Sequence, residues 1–269
     1  IRQMKKVLIT GASKGIGRAI AAKLSQYGYH VIGTSRAANA VIDPIPNVQY
    51  ISLDLNQSID TSALLEQVGE IDILINNAGQ SQIGSLEDTS IEDFKALFET
   101  NVFGLIQVCK TFIPSMRARG AGKIINIGSL TGKFPLPYYS AYCASKYAIE
   151  GLTQSLSNEL IDFGIHVTLL DPNDIKTSIT PKFICPEDSA YHKYASKVSN
   201  TVKQKMAKAN DPNVIADTVV KILNSPNPNP IYNVGGNAKW LVFLKNLVST
   251  SFLHRSIRKS YGLGGSDVG

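Results

Sequence analysis

Seven short apolar runs rich in β-branched residues recur along the chain, at Lys6 to Thr10, His30 to Ser35, Gln49 to Leu53, Ile71 to Asn76, Lys123 to Gly128, His166 to Leu170 and Ile231 to Val234. Segments with a 3.6-residue apolar period alternate with them: Arg18 to Tyr27, Ser62 to Val68, Ile91 to Arg119, Ser140 to Phe163 and Val214 to Asn224. Parallel strands need a crossover connection, and a helix is the usual one. The alternation therefore predicts an α/β fold, a doubly wound, Rossmann-type parallel sheet with helices on both faces. The 269 residues bury a substantial core, carry no internal repeat and call for one domain, residues 4–260.

Two segments break the rhythm. Residues 173–210 carry Pro181, Pro186 and a polar helical stretch from Glu187 to Ala209, which suits a substrate loop or lid; a solvated connector is the alternative. Residues 239–261 combine an apolar run from Trp240 with Arg255, Arg258 and Lys259. Such an amphipathic segment covers the core, forms a subunit interface or rests peripherally on a membrane surface, and packing is the default for an apolar helix face.

The net charge of +6 raises the question of nucleic acid, but outside the tail the basic residues are scattered, so no nucleic-acid partner is expected. The three cysteines, Cys109, Cys143 and Cys185, have no metal-ligand spacing and point to a reducing, cytoplasmic setting. The four histidines form no metal-binding set. No secretory signal or bilayer-length apolar stretch is visible, so a soluble or at most peripheral protein is expected.

Directly after the first apolar run, glycines fall at Gly11, Gly15 and Gly17 and open a helix. Glycine allows a tight turn, lets a pyrophosphate reach main-chain amides, and leaves the helix N-terminus to favour its charge. The second run ends in Ser35 and Arg36 where an acidic side chain would bind an adenosine ribose. Arg36 and Lys14 suit a phosphate instead, with Ser35 as a hydrogen-bond donor; surface charge is the plainer reading.

Tyr142 and Lys146 lie four residues apart on a predicted helix, so their side chains share a face. A nearby ammonium favours phenolate, and Lys146 is expected to lower the Tyr142 pKa. Ser129 closes an apolar run and so sits where open α/β sheets bind ligands. A Tyr and Lys at this spacing also arise by chance, so the pair alone does not decide the matter.

The Gly-x-x-x-Gly-x-Gly turn, the segment from Asn76 to Gly79, Asn101, Ser129 and the Tyr142-x-x-x-Lys146 pair occur in the order found in short-chain dehydrogenases/reductases. The chain resembles that family over about residues 4–235, in its compact single-domain subgroup. The resemblance implies that Tyr142 is the general acid/base, that Lys146 tunes it and binds the nicotinamide ribose, and that Ser129 binds the reacting oxygen. It implies that the Asn101 backbone holds a water linking Lys146 to solvent. Cofactor contacts are implied for Gly11, Ser13, Lys14, Gly15, Ile16, Gly17, Ser35, Arg36, Asp54, Leu55, Asn77, Ala78 and Gly79, with Asp54 at the adenine. Pro172, Ile175 and Thr177 complete the set. For Asn76 and Asn77 a structural role competes with ligand contact. Lys14 and Arg36 stand where NADP-preferring members carry basic residues, which implies NADP(H).

One departure stands out, since Asn173 replaces the family glycine after the sixth major strand. Asn tolerates left-handed geometry and is expected to keep the turn. Ser129, Leu130, Thr131, Phe134, Pro135, Leu136, Tyr139 and Tyr142, joined by the insertion over residues 178–205, are expected to form the substrate pocket, whose apolar character suits a hydrophobic carbonyl or alcohol of steroid, retinoid or lipid type. A sugar or polyol reductase, or a non-catalytic NADP(H)-binding regulator, are the alternatives. Such a protein would be a homodimer or homotetramer.

Overall fold

The computed structural model describes residues 4–176 and 180–263. In chain order its strands are β1 (Lys6–Ile9), β2 (His30–Ser35), β3 (Val48–Ser52), β4 (Ile73–Asn76), β5 (Gln82–Ile83), β6 (Gly122–Ile127), β7 (Ile165–Pro172), β8 (Lys182–Phe183) and β9 (Ile231–Val234). The helices are α1 (Gly15–Gln26), α2 (Thr61–Val68), α3 (Ile91–Phe98), α4 (Gly104–Arg119), α5 (Ser140–Leu160), α6 (His192–Ala207), α7 (Asn213–Asn224), α8 (Ala238–Lys245) and α9 (Thr250–Ser260). Seven strands make one parallel sheet in the order β3-β2-β1-β4-β6-β7-β9.

Continuous apolar strands are what a sheet covered on both faces requires. Along β1, Val7 and Ile9 pack with Ile20 and Leu24 of α1 and Val219 and Ile222 of α7. Leu8 points the other way, to Val108 and Phe112 of α4 and Ile149 of α5. Local signals set the helix ends: Asp60 accepts hydrogen bonds from the amides of Ser62 and Ala63, Ser90 accepts from that of Asp93, and Gly120 ends α4 at φ 64°.

The predicted single helix from Ile91 to Arg119 is interrupted. A π-helical turn over Glu99–Phe103 separates α3 from α4 and buries Asn101. Gly104 permits the close approach that follows, since a Cβ there would lie 2.7 Å from the Leu55 Cβ. Within residues 173–210, β8 pairs with β5 outside the main sheet, a two-residue ladder too short to leave a periodic signal. At its base Ile175 bridges to Asn210.

The tail divides into α8 and α9. Tyr261 and Leu263 are buried against Ile83, Tyr139, Cys143 and Val198, so its inner side packs on the domain. Trp240, Phe243, Leu247 and Phe252 remain exposed. Among the described residues no helix is long and apolar enough to cross a membrane.

Candidate active site

Strand order reverses between β1 and β4, and the carboxyl ends there open into a cleft of about 640 Å³. Gly11 sits at φ 67°, and a Cβ on it would lie 2.9 Å from the Ala78 Cα. A Cβ on Gly17 would lie 2.3 Å from the Gly11 carbonyl oxygen. The turn can therefore close against the segment after β4 only with glycine at both positions. Thr10 Oγ1 accepts hydrogen bonds from the amides of Asn77 and Ala78, each at 3.0 Å, and Asn77 Nδ2 donates to the carbonyls of Thr10 (3.0 Å) and Gly11 (3.1 Å). Asn77 thus braces the turn and also lines the cleft. Asn76 stays behind it, donating to Asn126 Oδ1 at 2.8 Å.

Gly11, Ser13, Lys14, Ile16, Ser35, Arg36, Asp54, Leu55, Ala78 and Gly79 line the same cleft. Gly15 and Gly17 are not among its lining residues and act through the shape of the turn. No side chain caps the start of α1, so its first amides stay available. Open amides, two cations and a serine hydroxyl along one wall form a donor set that suits a phosphate-bearing dinucleotide.

The opposite wall carries Ser129, Tyr142 and Lys146, the set expected to do acid/base work. Ser129 follows β6, and its hydroxyl accepts from the Thr131 amide at 3.2 Å. Tyr142 occupies the first turn of α5, with the Ser129 and Thr131 hydroxyls against its phenol. Lys146, one turn on, is 7% exposed; its Nζ donates to the Ile127 carbonyl at 3.1 Å and lies 5.7 Å from the centre of the Tyr142 ring.

Burial pushes the Tyr142 phenol up to about 12, and the nearby Ser129 and Thr131 hydroxyls only partly offset it. Burial also lowers Lys146 to about 8, against the pull of Asp171. The expectation that Lys146 would bring the phenol down is therefore not met here. Desolvation dominates both groups, and it weakens the ammonium's hold on its own proton. The phenol is therefore protonated at physiological pH.

The Asn101 side chain bridges two segments of the wall. Its Oδ1 accepts from the Gln80 amide at 2.8 Å, and its Nδ2 donates to the Gln80 carbonyl and to Ser145 Oγ, each at 3.0 Å. Ser145 Oγ in turn donates to the Tyr142 carbonyl at 2.7 Å. The π-helical turn thereby ties the cofactor wall to the helix that carries the phenol.

A charged cluster behind this wall was missed by sequence reasoning. Lys133 is paired with Asp171 of β7 and, at 3.0 Å, with Glu150 of α5. Lys133 and Asp171 are both buried. Gly128 makes room for them, because a Cβ there would lie 2.0 Å from Asp171 Oδ1. The scattered sequence positions gave no signal that these charges meet.

On the substrate side Ser129, Thr131, Leu136, Tyr139 and Tyr142 line the cleft, as expected. Leu130, Phe134 and Pro135 are not among the lining residues: Leu130 is buried in the turn after Ser129, Phe134 faces Lys245 of α8, and Pro135 is exposed. Their places are taken by Val202, Lys205 and Met206 of α6 and Tyr261 beyond α9. Tyr138 takes φ 64° and meets the Tyr191 ring edge-on, while Tyr139 is buried against the cleft. The left-handed residue after β7 is Asp174, at φ 42°, rather than Asn173. Asn173 instead continues the sheet, its amide donating to the Val234 carbonyl at 2.8 Å. Pro172 and Ile175 line the cleft; Thr177 lies outside the described residues.

Comparison with known proteins agrees with this arrangement. A family model described as short chain dehydrogenase matches residues 5–186. The chain is 34% identical to an uncharacterized oxidoreductase, YusZ, of Bacillus subtilis (strain 168), over 95% of this chain and 98% of that protein. It is 30% identical to human 17-beta-hydroxysteroid dehydrogenase type 1, over 82% of this chain and 75% of that enzyme. A Streptomyces avermitilis short-chain dehydrogenase structure superposes with TM-score 0.80 at 31% identity, covering 98% of this chain and 99% of that one. A metagenomic short-chain oxidoreductase in complex with NADP superposes with TM-score 0.67 at 29% identity, covering 86% and 96%. With the glycine turn, the strand order and the serine-tyrosine-lysine wall in place, the chain belongs to the short-chain dehydrogenase family of oxidoreductases.

Proposed function

We propose that this protein is an NADP(H)-dependent oxidoreductase that interconverts a carbonyl and a primary or secondary alcohol on a hydrophobic substrate of steroid, retinoid or lipid type. The observation that carries this reading is the single cleft in which the glycine turn, the neutral phenol of Tyr142 and an apolar wall of Leu136, Tyr139, Val202, Met206 and Tyr261 meet. That wall favours a hydrophobic substrate over a sugar or polyol. The complete Asn101, Ser129, Tyr142 and Lys146 set favours an enzyme over a cofactor-binding regulator.

When bound, the nicotinamide supplies hydride transfer. Tyr142 donates its phenolic proton to the carbonyl oxygen during reduction and takes it back during oxidation. Ser129 donates a hydrogen bond to the same oxygen and steadies the charge that develops there. Lys146 holds the nicotinamide ribose, and Asn101 supports proton supply to Lys146 through its backbone while its side chain fixes the Tyr142 turn. Gly11, Ser13, Ile16, Ala78 and Gly79 hold the dinucleotide, Asp54 and Leu55 border the adenine, and Pro172, Ile175 and Thr177 border the nicotinamide. Lys14 and Arg36, with Ser35, recognise the adenosine 2′-phosphate, and the NADP complex of the metagenomic relative supports that choice.

Three buried, unpaired cysteines fit a reducing compartment such as the cytoplasm. The apolar and basic outer side of α8 and α9 suits peripheral contact with a membrane, and a homodimer or homotetramer fits the exposed Phe103 and Tyr147 beside the central helices. The functional test is nicotinamide absorbance with purified protein, NADPH or NADH, and a panel of steroid, retinal, long-chain and sugar carbonyls. NADPH-dependent reduction of the apolar members is the expected result; reduction confined to sugars, or to NADH, would overturn the reading.

A further inference from the structure

The substrate half of the cleft holds a cation with no carboxylate partner among the described residues. Among the cations that line the cleft, Lys14 and Arg36 stand at the adenosine end, Lys146 is bonded to the Ile127 carbonyl, and Lys182 is paired with Asp93 at 2.6 Å. Lys205 is left. It projects from α6, is half-buried, and places its Nζ 3.9 Å from the centre of the Tyr261 ring. The cleft wall also carries the apolar Val202 and Met206 of the same helix, Leu136 and Tyr139, and one acid, Asp174.

No carboxylate among the described residues lies within ion-pair distance of Lys205. The acid that acts on it, Asp174, does so only through its field. Burial is the larger influence and lowers the lysine's pKa, so the ammonium is held at an energetic cost. An aromatic face offsets part of that cost through the ring quadrupole, and an anion arriving in the cleft would offset much more.

We infer that Lys205, stacked on Tyr261, is the docking point for an anionic group carried by the hydrophobic substrate, so that the substrate class is amphipathic: an apolar ketone or alcohol bearing a carboxylate, phosphate or sulfate away from the reacting carbon. The inference rests on the oxidoreductase reading above. Tyr261 belongs to the tail and Lys205 to the lid, so an anion seated there would engage both segments that close the cleft.

Binding tests this separately from turnover. Affinities are measured by calorimetry on the full chain saturated with NADP+, for a keto fatty acid against its methyl ester and for a sulfated steroid ketone against the free ketone. At least one charged probe should bind roughly 10-fold or more tighter than its neutral partner, as a charge-assisted hydrogen bond supplies. The charged-to-neutral ratio should fall toward one in Lys205→Met and persist in Lys205→Arg. The fatty acid and sulfate arms show which anion the site takes. Equal binding of charged and neutral probes by the unaltered protein, an unchanged ratio in Lys205→Met, or a loss confined to NADP+ affinity would each overturn the inference. NADPH consumption is followed in parallel: a charge preference without any turnover would sink the oxidoreductase reading and leave the anion site standing.

Discussion

Asp171 and Lys133 form an ion pair almost wholly withdrawn from water, set behind Gly128 at the carboxyl end of β7 and steadied by Glu150 on the helix that carries Tyr142 and Lys146. The field of Asp171 reaches both Lys146 and Tyr142, raising the pKa of each.

Asp171→Asn should therefore act on stability and on pH dependence together. Removing one partner of a buried pair costs roughly 3–5 kcal/mol, and because Lys133 keeps Glu150 the lower end is expected in urea unfolding. Lys146 holds its charge below about 8 and loses it above. Without Asp171 that value falls, so the alkaline decline of kcat for reduction should begin at lower pH. An unmoved alkaline limb would separate Asp171 from the catalytic wall.

Asn101→Ala removes three hydrogen bonds that join Gln80 to Ser145. At about 1 kcal/mol each they predict a loss on the order of 3 kcal/mol, read by denaturation. A fall in kcat larger than the change in cofactor KM should accompany it, because the Tyr142 turn loses its tether while the glycine turn does not.

Much of this was legible because parallel strands buried on both faces leave unbroken apolar runs, and every major strand was located within two residues. Glycine spacing marked the phosphate turn for a steric reason that the structure repeats at Gly11 and Gly17. The π-helical turn left no trace, since its cause is a tertiary demand on Asn101 rather than helix propensity. Lys205 and Tyr261 were invisible as neighbours because a 56-residue separation carries no period. Tyr142 and Lys146 were found by spacing, yet spacing says nothing of desolvation, and that decides their protonation.

Arg36→Asp places a carboxylate where a 2′-phosphate would sit and where an adenosine ribose could use it. The ratio of kcat/KM for NADPH over NADH should fall roughly 100-fold or more, from a lost charge-assisted contact plus repulsion. Lys14→Ala should lower it less, by about 10-fold. A ratio insensitive to both would place the phosphate elsewhere.

The outer side of α8 and α9 exposes Trp240, Phe243, Leu247 and Phe252 in a segment, residues 238–263, that has no acidic residue. The full chain should co-sediment with phosphatidylserine-containing vesicles, less so at high salt, and Trp240→Ser with Phe243→Ser should release it. Equal pelleting of the two proteins, or pelleting independent of anionic lipid, would assign that surface to contact between subunits.

Single-turnover oxidation of NADPH by a reducible apolar ketone, compared between the unaltered protein and Tyr142→Phe, tests the acid/base assignment most directly. Tyr142→Phe should bind NADPH within a few-fold of the unaltered protein and transfer hydride at least ~100-fold more slowly, the span expected for loss of a positioned general acid. A Tyr142→Phe protein that reduces the ketone at the full rate would contradict the account at its centre.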